Sequence, residues 1–283
     1  MRLSPVFLIL ALLAGAGCRR GPELVPEVVM VRADKLPATP GDPAWDRAPE
    51  HAARLLLQDL VEPRQMKATT QEVRVRALTD GAQAAFRLTW ADDNLSDTPG
   101  PGRMVDAAAI QIPAALSPEP PAPQMGDEKG LVEVTYWRAD WQAAVNGRGD
   151  SIQDLYPNAT VDHYPFEAQS LEKGSAAQQE MARRYAPARA LGNLRAGPRE
   201  RSVEDLIANG PGTLSPGPSR DSRGAGAHGK QGWAVVISRR LPESLTANGR
   251  TQIAFAVWQG SEQEAGARKM RTGWIPMVLR NSQ

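Results

Sequence analysis

The sequence predicts a mainly β fold, an antiparallel β-sandwich with a short helical and loop-rich insertion. Apolar and polar residues alternate through much of the chain, which is the period of strands with one buried face. Helical patterns do not alternate with these strands, and this favours antiparallel pairing. The chain has 283 residues, of which 41% are hydrophobic and 23% charged. This is the composition of a globular protein with one large domain or two modest ones.

The clearest strands form a predicted hairpin around the turn Asp80-Gly81. Apolar and polar residues alternate over 73–77 before the turn and over 84–90 after it. An Asp-Gly pair between two such segments is typical of a β-hairpin. Five further segments alternate in the same way: 108–112, 131–137, 233–239, 252–258 and 274–279. The sequence therefore predicts at least seven strands.

Three segments interrupt the strand pattern. Residues 113–126 carry five prolines, which predict an irregular, extended loop. Residues 167–190 are rich in Ala, Gln, Glu and Arg at helical spacing, and Pro187 ends the predicted helix. Residues 209–232 are rich in Gly, Ser and Pro and are predicted to be mostly loop.

The first 17 residues predict a cleaved signal peptide. A basic residue is followed by an apolar run over 6–13 and by small residues over 14–17. The apolar run is shorter than the ~20 residues that a membrane-spanning helix needs. The predicted organisation is a signal peptide over 1–17, a tether over 18–40 and a folded domain over 41–283.

Cys18 is the only cysteine and directly follows the small residues. The segment 13–18 resembles a bacterial lipobox, in which the cysteine becomes the acylated first residue of the mature chain. An ordinary secretory leader followed by a free cysteine is the alternative. With lipidation, the proline-rich tether 18–40 would hold the protein at a membrane. In both cases we expect the folded domain to work outside the cytoplasm, on the periplasmic side of a bacterial membrane.

Composition excludes several functional classes. The 33 basic and 32 acidic residues give a net charge of +1, whereas a nucleic-acid-binding protein needs a basic excess. A single cysteine excludes a disulfide framework, a thiolate zinc cluster, an iron–sulfur site and covalent c-type haem attachment. Three histidines, His51, His163 and His228, argue against a histidine-rich metal site. We interpret His163 as a structural or surface residue.

Seven blocks of the sequence form a recognisable set when their order and spacing are taken together. They are GDPAW from Gly41, the segment 74–93 that ends in FRLTWADD, DAAAIQIP from Asp106, Met125-Gly126, YPNATVDHYPFEA from Tyr156, SVEDLIANGPGTL from Ser202 and IAFAVWQGSEQEAGARKMRTGW from Ile253. This set resembles the ethylbenzene dehydrogenase-related haem-binding family. That family comprises the b-haem gamma subunits of periplasmic molybdenum enzymes related to dimethyl sulfoxide reductase, and free-standing relatives.

The resemblance implies a β-sandwich that holds one non-covalent haem b, with a methionine and a lysine as axial ligands of the iron. By position, the methionine is Met125, before Gly126 in the proline-rich loop, and the lysine is Lys269, five residues before Trp274. A thioether is a soft ligand that stabilises reduced iron. A lysine amine must lose its proton to bind, against an ordinary pKa near 10.4, so this ligand requires a buried pocket.

The implied function is electron transfer rather than catalysis, because two protein ligands leave the iron no open position for a substrate. The implied partners are a molybdenum catalytic subunit and an iron–sulfur subunit, or a cytochrome of a respiratory chain. The lipobox-like start and the long stretch 143–230 depart from the subunit pattern. Membership of a complex and a free-standing role therefore both stay open.

Two other functions remain open from the sequence. The segments 41–45 and 90–93 also resemble xylanase-associated carbohydrate-binding modules, which share the sandwich and hold sugars between tryptophans. In that case exposed tryptophans would be essential. The third interpretation is a structural lipoprotein that has kept the sandwich and lost the cofactor.

Without the resemblance, neither proposed ligand would stand out. Met125 would be interpreted as filling a gap under the loop, and Lys269 as a solvated lysine between Arg268 and Arg271. Alternation places Met270 on the opposite face from Lys269. Four tryptophans are predicted to lie in the core rather than against a cofactor: Trp90, Trp233, Trp258 and Trp274.

Overall fold

Most of the folded chain is β-structure with few helices. The computed structural model describes residues 25–115, 117–149, 152–160, 174–185, 187–191 and 199–280. The strands are β1 (Val28–Arg32), β2 (His51–Arg54), β3 (Leu56–Leu57), β4 (Glu72–Thr79), β5 (Gln83–Trp90), β6 (Ala107–Pro113), β7 (Val132–Arg138), β8 (Val203–Ala208), β9 (Ser215–Pro216), β10 (Arg223–Gly229), β11 (Gly232–Arg240), β12 (Arg250–Trp258), β13 (Met270–Arg271) and β14 (Ile275–Arg280). The helices are α1 (Ala139–Val145), α2 (Ile152–Leu155), α3 (Ala176–Tyr185), α4 (Pro187–Ala190) and α5 (Glu243–Asn248). The predicted fold class is confirmed, and every predicted strand is present.

The strands pair in the order β10-β11-β5-β4-β1-β14-β12-β6-β7-β8-β9. Strand β2 pairs with β4, and β13 lies between β12 and β3. Strand β12 joins the two layers of the sandwich, because residues 250–253 pair with β14 whereas 254–258 pair with β6. Buried side chains from both layers form the main core, among them Phe86 and Ile237 from one layer and Ile110 and Phe255 from the other.

Strand β1 corrects the predicted boundary of the folded domain. Its residues, Val28–Arg32, fall in the segment 18–40 that the sequence assigned to the tether. The strand lies inside the sheet, where it pairs in parallel with β4 and β14, and the other strand pairs are antiparallel. A continuous apolar run is the signature of a strand covered on both faces. The folded part therefore begins before residue 41.

The insertion is helical as predicted, and the glycine-rich segment after it is not entirely loop. Helix α3 lies within the predicted helical segment and ends before Pro187. Strands β9 and β10 lie within 209–232, where we predicted loop. Glycines suit β10 because the Trp137 ring packs against it, and a Cβ at Gly226 would overlap that ring. His163 and Cys18 lie outside the described residues.

Strand β6 positions the candidate site, because one of its faces packs in the main core and the other lies under the site. All seven of its residues are buried. Ala108, Ile110 and Ile112 face the core between the layers. Ala107 and Ala109 belong to a second apolar cluster on the opposite face, together with Leu206 and Trp258. Met125, from the loop between β6 and β7, packs against this second cluster. No described helix is long and apolar enough to cross a bilayer.

Candidate functional site

A cavity of about 450 Å³ lies over this second apolar cluster. Its volume is in the range of small-molecule and cofactor sites. Alanines from two paired strands, Ala109, Ala254 and Ala256, line it, and their small side chains leave room above the sheet. Tyr136 and Trp258 add aromatic walls, and their rings meet edge to face with centroids 5.1 Å apart.

The proline-rich loop carries Met125 in a strained backbone conformation. Met125 has φ 74° and Gly126 has φ 82°, and a non-glycine residue in this left-handed region costs about 1–3 kcal/mol. The Gly126 N–H donates to the Ala122 carbonyl at 2.9 Å, and the Met125 carbonyl accepts from the Gly210 N–H at 2.8 Å. These bonds hold the turn that places Met125 at the cavity.

Side chains from three parts of the chain fix the rest of this loop. The Gln111 amide donates to the Pro123 carbonyl at 3.0 Å, and the Trp274 indole donates to the Pro121 carbonyl at 2.6 Å. The carboxylate of Asp127 accepts from the Ala122 N–H at 3.1 Å. Prolines lack an N–H but keep their carbonyls, so Pro121 and Pro123 anchor the loop as hydrogen-bond acceptors.

Lys269 reaches the cavity from the segment that enters β13. Its carbonyl accepts from the Gln58 N–H at 3.3 Å, and the Gln58 side chain donates to the Ala267 carbonyl at 3.0 Å. The ammonium lies 5.0 Å from the ring centroid of Trp258. Within the described ranges, no carboxylate lies at ion-pair distance from Lys269. Burial, and secondly the charge of Arg271, lower the pKa of Lys269 to about 8.

The structure brings the two predicted site residues together. Lys269 Nζ lies 3.8 Å from Met125 Sδ, and both side chains line the cavity. Met270, the neighbouring methionine, is 1% exposed and belongs to the main core on the other face. The alternation predicted for Lys269 and Met270 is therefore confirmed. A ligand role for Met125 and Lys269 stays a prediction.

Met125 and Lys269 bring a thioether and an amine, both possible metal donors, to the cavity. The Glu62 carboxylate also lines it but is paired with Arg64. The described residues contain no group of three or more His, Cys, Asp or Glu that could hold a metal ion. Sequence reasoning did not assign Arg271, which also lines the cavity; its place in a run of basic residues gave no signal of burial.

Most of the chain, including the residues that line the cavity from Gln58 to Lys269, matches a known protein family. The sequence profile described as ethylbenzene dehydrogenase matches residues 42–270. The chain belongs to this ethylbenzene dehydrogenase family. Both Met125 and Lys269 lie within the range that matches the ethylbenzene dehydrogenase family.

Two curated relatives align over most of this member of the ethylbenzene dehydrogenase family. One, from Haloferax mediterranei, is named as a respiratory nitrate reductase haem subunit and is 25% identical over 87% of this chain and 70% of its own length. The other is the chlorate reductase gamma subunit of Ideonella dechloratans, 25% identical over 83% of this chain and 76% of its own length. Among solved structures, a family 9 carbohydrate-binding module from Caldicellulosiruptor kristjanssonii with bound cellotriose aligns over 90% of this chain and 94% of its own, at 8% identity and a TM-score of 0.43.

Trp90 and Trp233 lie in the main core as predicted, whereas Trp258 is buried but lines the cavity, which differs from the prediction. Of the seven tryptophans, six are less than 9% exposed: Trp45, Trp90, Trp137, Trp141, Trp233 and Trp258. Trp274 is partly buried and packs at the edge of the second apolar cluster. The carbohydrate-binding interpretation requires exposed tryptophans, so this burial does not favour it.

Proposed function

We propose that this protein binds haem b and relays electrons to or from a molybdenum oxidoreductase or a respiratory chain, without catalysing a reaction of its own. The observation that carries the proposal is the approach of Met125 Sδ and Lys269 Nζ to 3.8 Å in a largely apolar cavity. The relatives named as a nitrate reductase haem subunit and a chlorate reductase gamma subunit support the same function.

The donor chemistry of the two side chains fits a haem iron. A thioether is a known ligand of haem iron, and a neutral amine is a nitrogen donor that first-row metals accept. Met125 Sδ and Lys269 Nζ lie 3.8 Å apart at the cavity, so one metal ion would be within reach of both. The residues present therefore fit the cofactor.

Burial prepares Lys269 to act as a ligand. With the pKa lowered to about 8, about one amine in ten is neutral at pH 7, compared with fewer than one in a thousand for a solvated lysine. The thioether of Met125 needs no deprotonation. The hydrogen-bonded turn at Met125 and Gly126 fixes the backbone that carries the thioether, which would lower the ordering cost of cofactor binding.

Two protein ligands suit an electron carrier. A bound haem would supply a one-electron couple between ferric and ferrous iron. Met125 and Lys269 would hold the iron and leave it no open position for a substrate. The alanines and the two aromatic residues that line the cavity would give the macrocycle an apolar surrounding. A soft thioether favours the reduced state.

The partners and the site of action belong to the same proposal. A molybdenum catalytic subunit with an iron–sulfur subunit, or a cytochrome, would exchange electrons with this protein. The protein would be exported and held at the periplasmic side of a bacterial membrane through lipidated Cys18. Mass spectrometry of the mature N-terminus tests this: an acylated Cys18 is expected, and a free thiol or a cleavage at another residue would contradict it.

Absorption spectroscopy of the full chain, purified from an exporting and haem-replete host, tests the proposed function. We expect a Soret band and, after dithionite reduction, sharp α and β bands, with a haem that acidified acetone extracts. Met125→Ala should shift these bands, whereas Met66→Ala, at a methionine that is 74% exposed, should not. A protein that stays colourless after haem titration would overturn the proposal.

A further inference from the structure

Two arginines line the cavity, and they differ in their partners. Arg138 Nε and Nη2 donate to the two carboxylate oxygens of Asp140, at 2.8 and 2.9 Å. Arg271 has no such partner: within the described part of the chain, no carboxylate lies at ion-pair distance from its guanidinium. Its Nε is buried without a hydrogen-bond partner, and Nη1 has only a 3.5 Å contact with the Thr272 carbonyl.

Arg271 is nevertheless a buried residue, with 9% of its surface exposed. A buried cation without a partner is costly, so such groups are normally paired. The acidic side chains near it do not meet this need. Asp59 is exposed and acts on Arg271 only at a distance. Glu62 lines the cavity but pairs with Arg64 at 2.9 Å, and its side chain is 75% exposed.

The strand register directs Arg271 toward the same face of the sheet as Lys269, the proposed iron ligand. Arg271 is paired with Ala256, which lines the cavity floor. Lys269 precedes it by two residues and therefore points to the same side. The cavity thus has apolar walls and one positively charged edge. An occupant that suits it is flat and apolar and carries an anionic group at its margin.

We propose that Arg271 binds a carboxylate arm of the cofactor. This inference rests on the proposed function, since haem b carries two propionate groups at one edge of an apolar macrocycle. A guanidinium presents a planar fork of N–H donors that matches a carboxylate. The pair would give the orphaned Nε an acceptor and would fix the rotational position of the macrocycle over the alanine floor.

The contact between Arg271 and a propionate is tested by comparing the binding of haem b and of its dimethyl ester to the wild type and to Arg271→Gln. Haem b and its dimethyl ester, in which both propionates are uncharged, are titrated into cofactor-free full-length protein, and Kd is read from the Soret band. The wild type should bind the diacid about tenfold or more tighter than the diester, as expected for charge-assisted hydrogen bonds in a buried site. Arg271→Gln should bind the two ligands within about threefold of each other.

Arg268→Gln is the matched control, because it removes the same charge from the neighbouring segment. The Arg268 side chain donates to the Gln263 carbonyl and does not line the cavity, so this variant should discriminate as the wild type does. Arg271→Met is a second replacement if the glutamine variant folds poorly, since an apolar residue is tolerated in place of a buried charge. Circular dichroism checks that each variant is folded.

The outcomes separate this inference from the proposed function. Loss of discrimination at Arg271 alone supports the carboxylate contact. Equal discrimination in the wild type and both Arg271 variants, or no discrimination in the wild type, overturns the contact but leaves haem binding intact. Failure of the wild type to bind haem at all overturns the proposed function, and the role of Arg271 with it.

Discussion

Lys269 Nζ lies 3.8 Å from Met125 Sδ across the cavity. Met125 belongs to the loop between β6 and β7, and Lys269 to the segment that enters β13. Local sequence alone sets neither position. Strand β12 brings the two segments together, because it pairs with β6 on one side and with β13 on the other.

Gly126→Ala should destabilise the protein strongly. Gly126 has φ 82°, and a Cβ there would lie 2.9 Å from the Gly130 carbonyl oxygen and 3.0 Å from that of Ala208. Backbone strain and overpacking together predict a loss of about 2–4 kcal/mol in the free energy of unfolding. Urea denaturation monitored by circular dichroism measures it.

Gly212→Ala is the control for that experiment. Gly212 has φ 87°, but nothing lies within 4 Å of the position that a Cβ would take there. This variant should show only the backbone strain, about 1–2 kcal/mol. Equal losses in the two variants would show that the close approach at Gly126 is unimportant.

Lys269→Ala should open one coordination position on the haem iron. The reduced variant should then lose the sharp α and β bands and bind carbon monoxide, which the wild type should exclude. Lys129→Ala is the control, since Lys129 is exposed and pairs with Glu119. A Lys269→Ala protein that keeps the wild-type spectrum and stays closed to carbon monoxide would show that another residue ligates the iron.

Haem affinity should rise with pH until the pH passes about 8. The pKa of Lys269 is lowered to about 8, and below that value the metal must displace a proton from the amine. Affinity should therefore fall about tenfold for each pH unit below 8. Soret titrations of the full chain between pH 6 and 9 measure this slope. A flat profile would contradict lysine ligation, and Lys269→Ala should remove the slope.

Alternation predicted the strands well because most of them bury one face and leave polar residues on the other; β6, which is buried on both faces, is an exception. Strand β1 was missed because its apolar run is short and follows prolines. A short run after prolines resembles a tether in the sequence, and only the sheet shows that it is a strand. Strand β10 was missed because its glycines are explained only by the Trp137 ring, a partner distant in sequence. Periodicity reports burial on one side of a segment and carries no information about what packs there.

The candidate site was predicted only through the resemblance to a family. Met125 and Lys269 are single residues of common types, and composition gives neither a role. Arg271 was not predicted, because a charged residue between Met270 and Thr272 has no local mark of burial. Its proposed role rests on the lack of a carboxylate at ion-pair distance within the described ranges, which is a property of the fold.

Asp106→Asn should change how stability depends on pH. Asp106 is fully buried, and burial raises its pKa to about 6, although its carboxylate accepts hydrogen bonds from the Trp233 indole and from the Ser96 and Gly260 N–H groups. Between pH 4 and 6 the folded state holds a proton that the unfolded state has released. The contribution of this group to stability therefore falls as the pH rises, by about 2–3 kcal/mol in all.

The asparagine variant cannot titrate, so this component of the pH slope should disappear from its denaturation midpoints between pH 4 and 6. Its free energy of unfolding should nevertheless be lower over this whole pH range. The amide NH2 of asparagine is itself a donor and cannot accept the hydrogen bonds that the carboxylate oxygens accept from Trp233, Ser96 and Gly260. Asp92 is also buried and its pKa is also raised by burial, so a residual slope of the same sign should remain in the variant. An unchanged total slope would show that Asp106 is already ionised in this range, held by its three N–H donors.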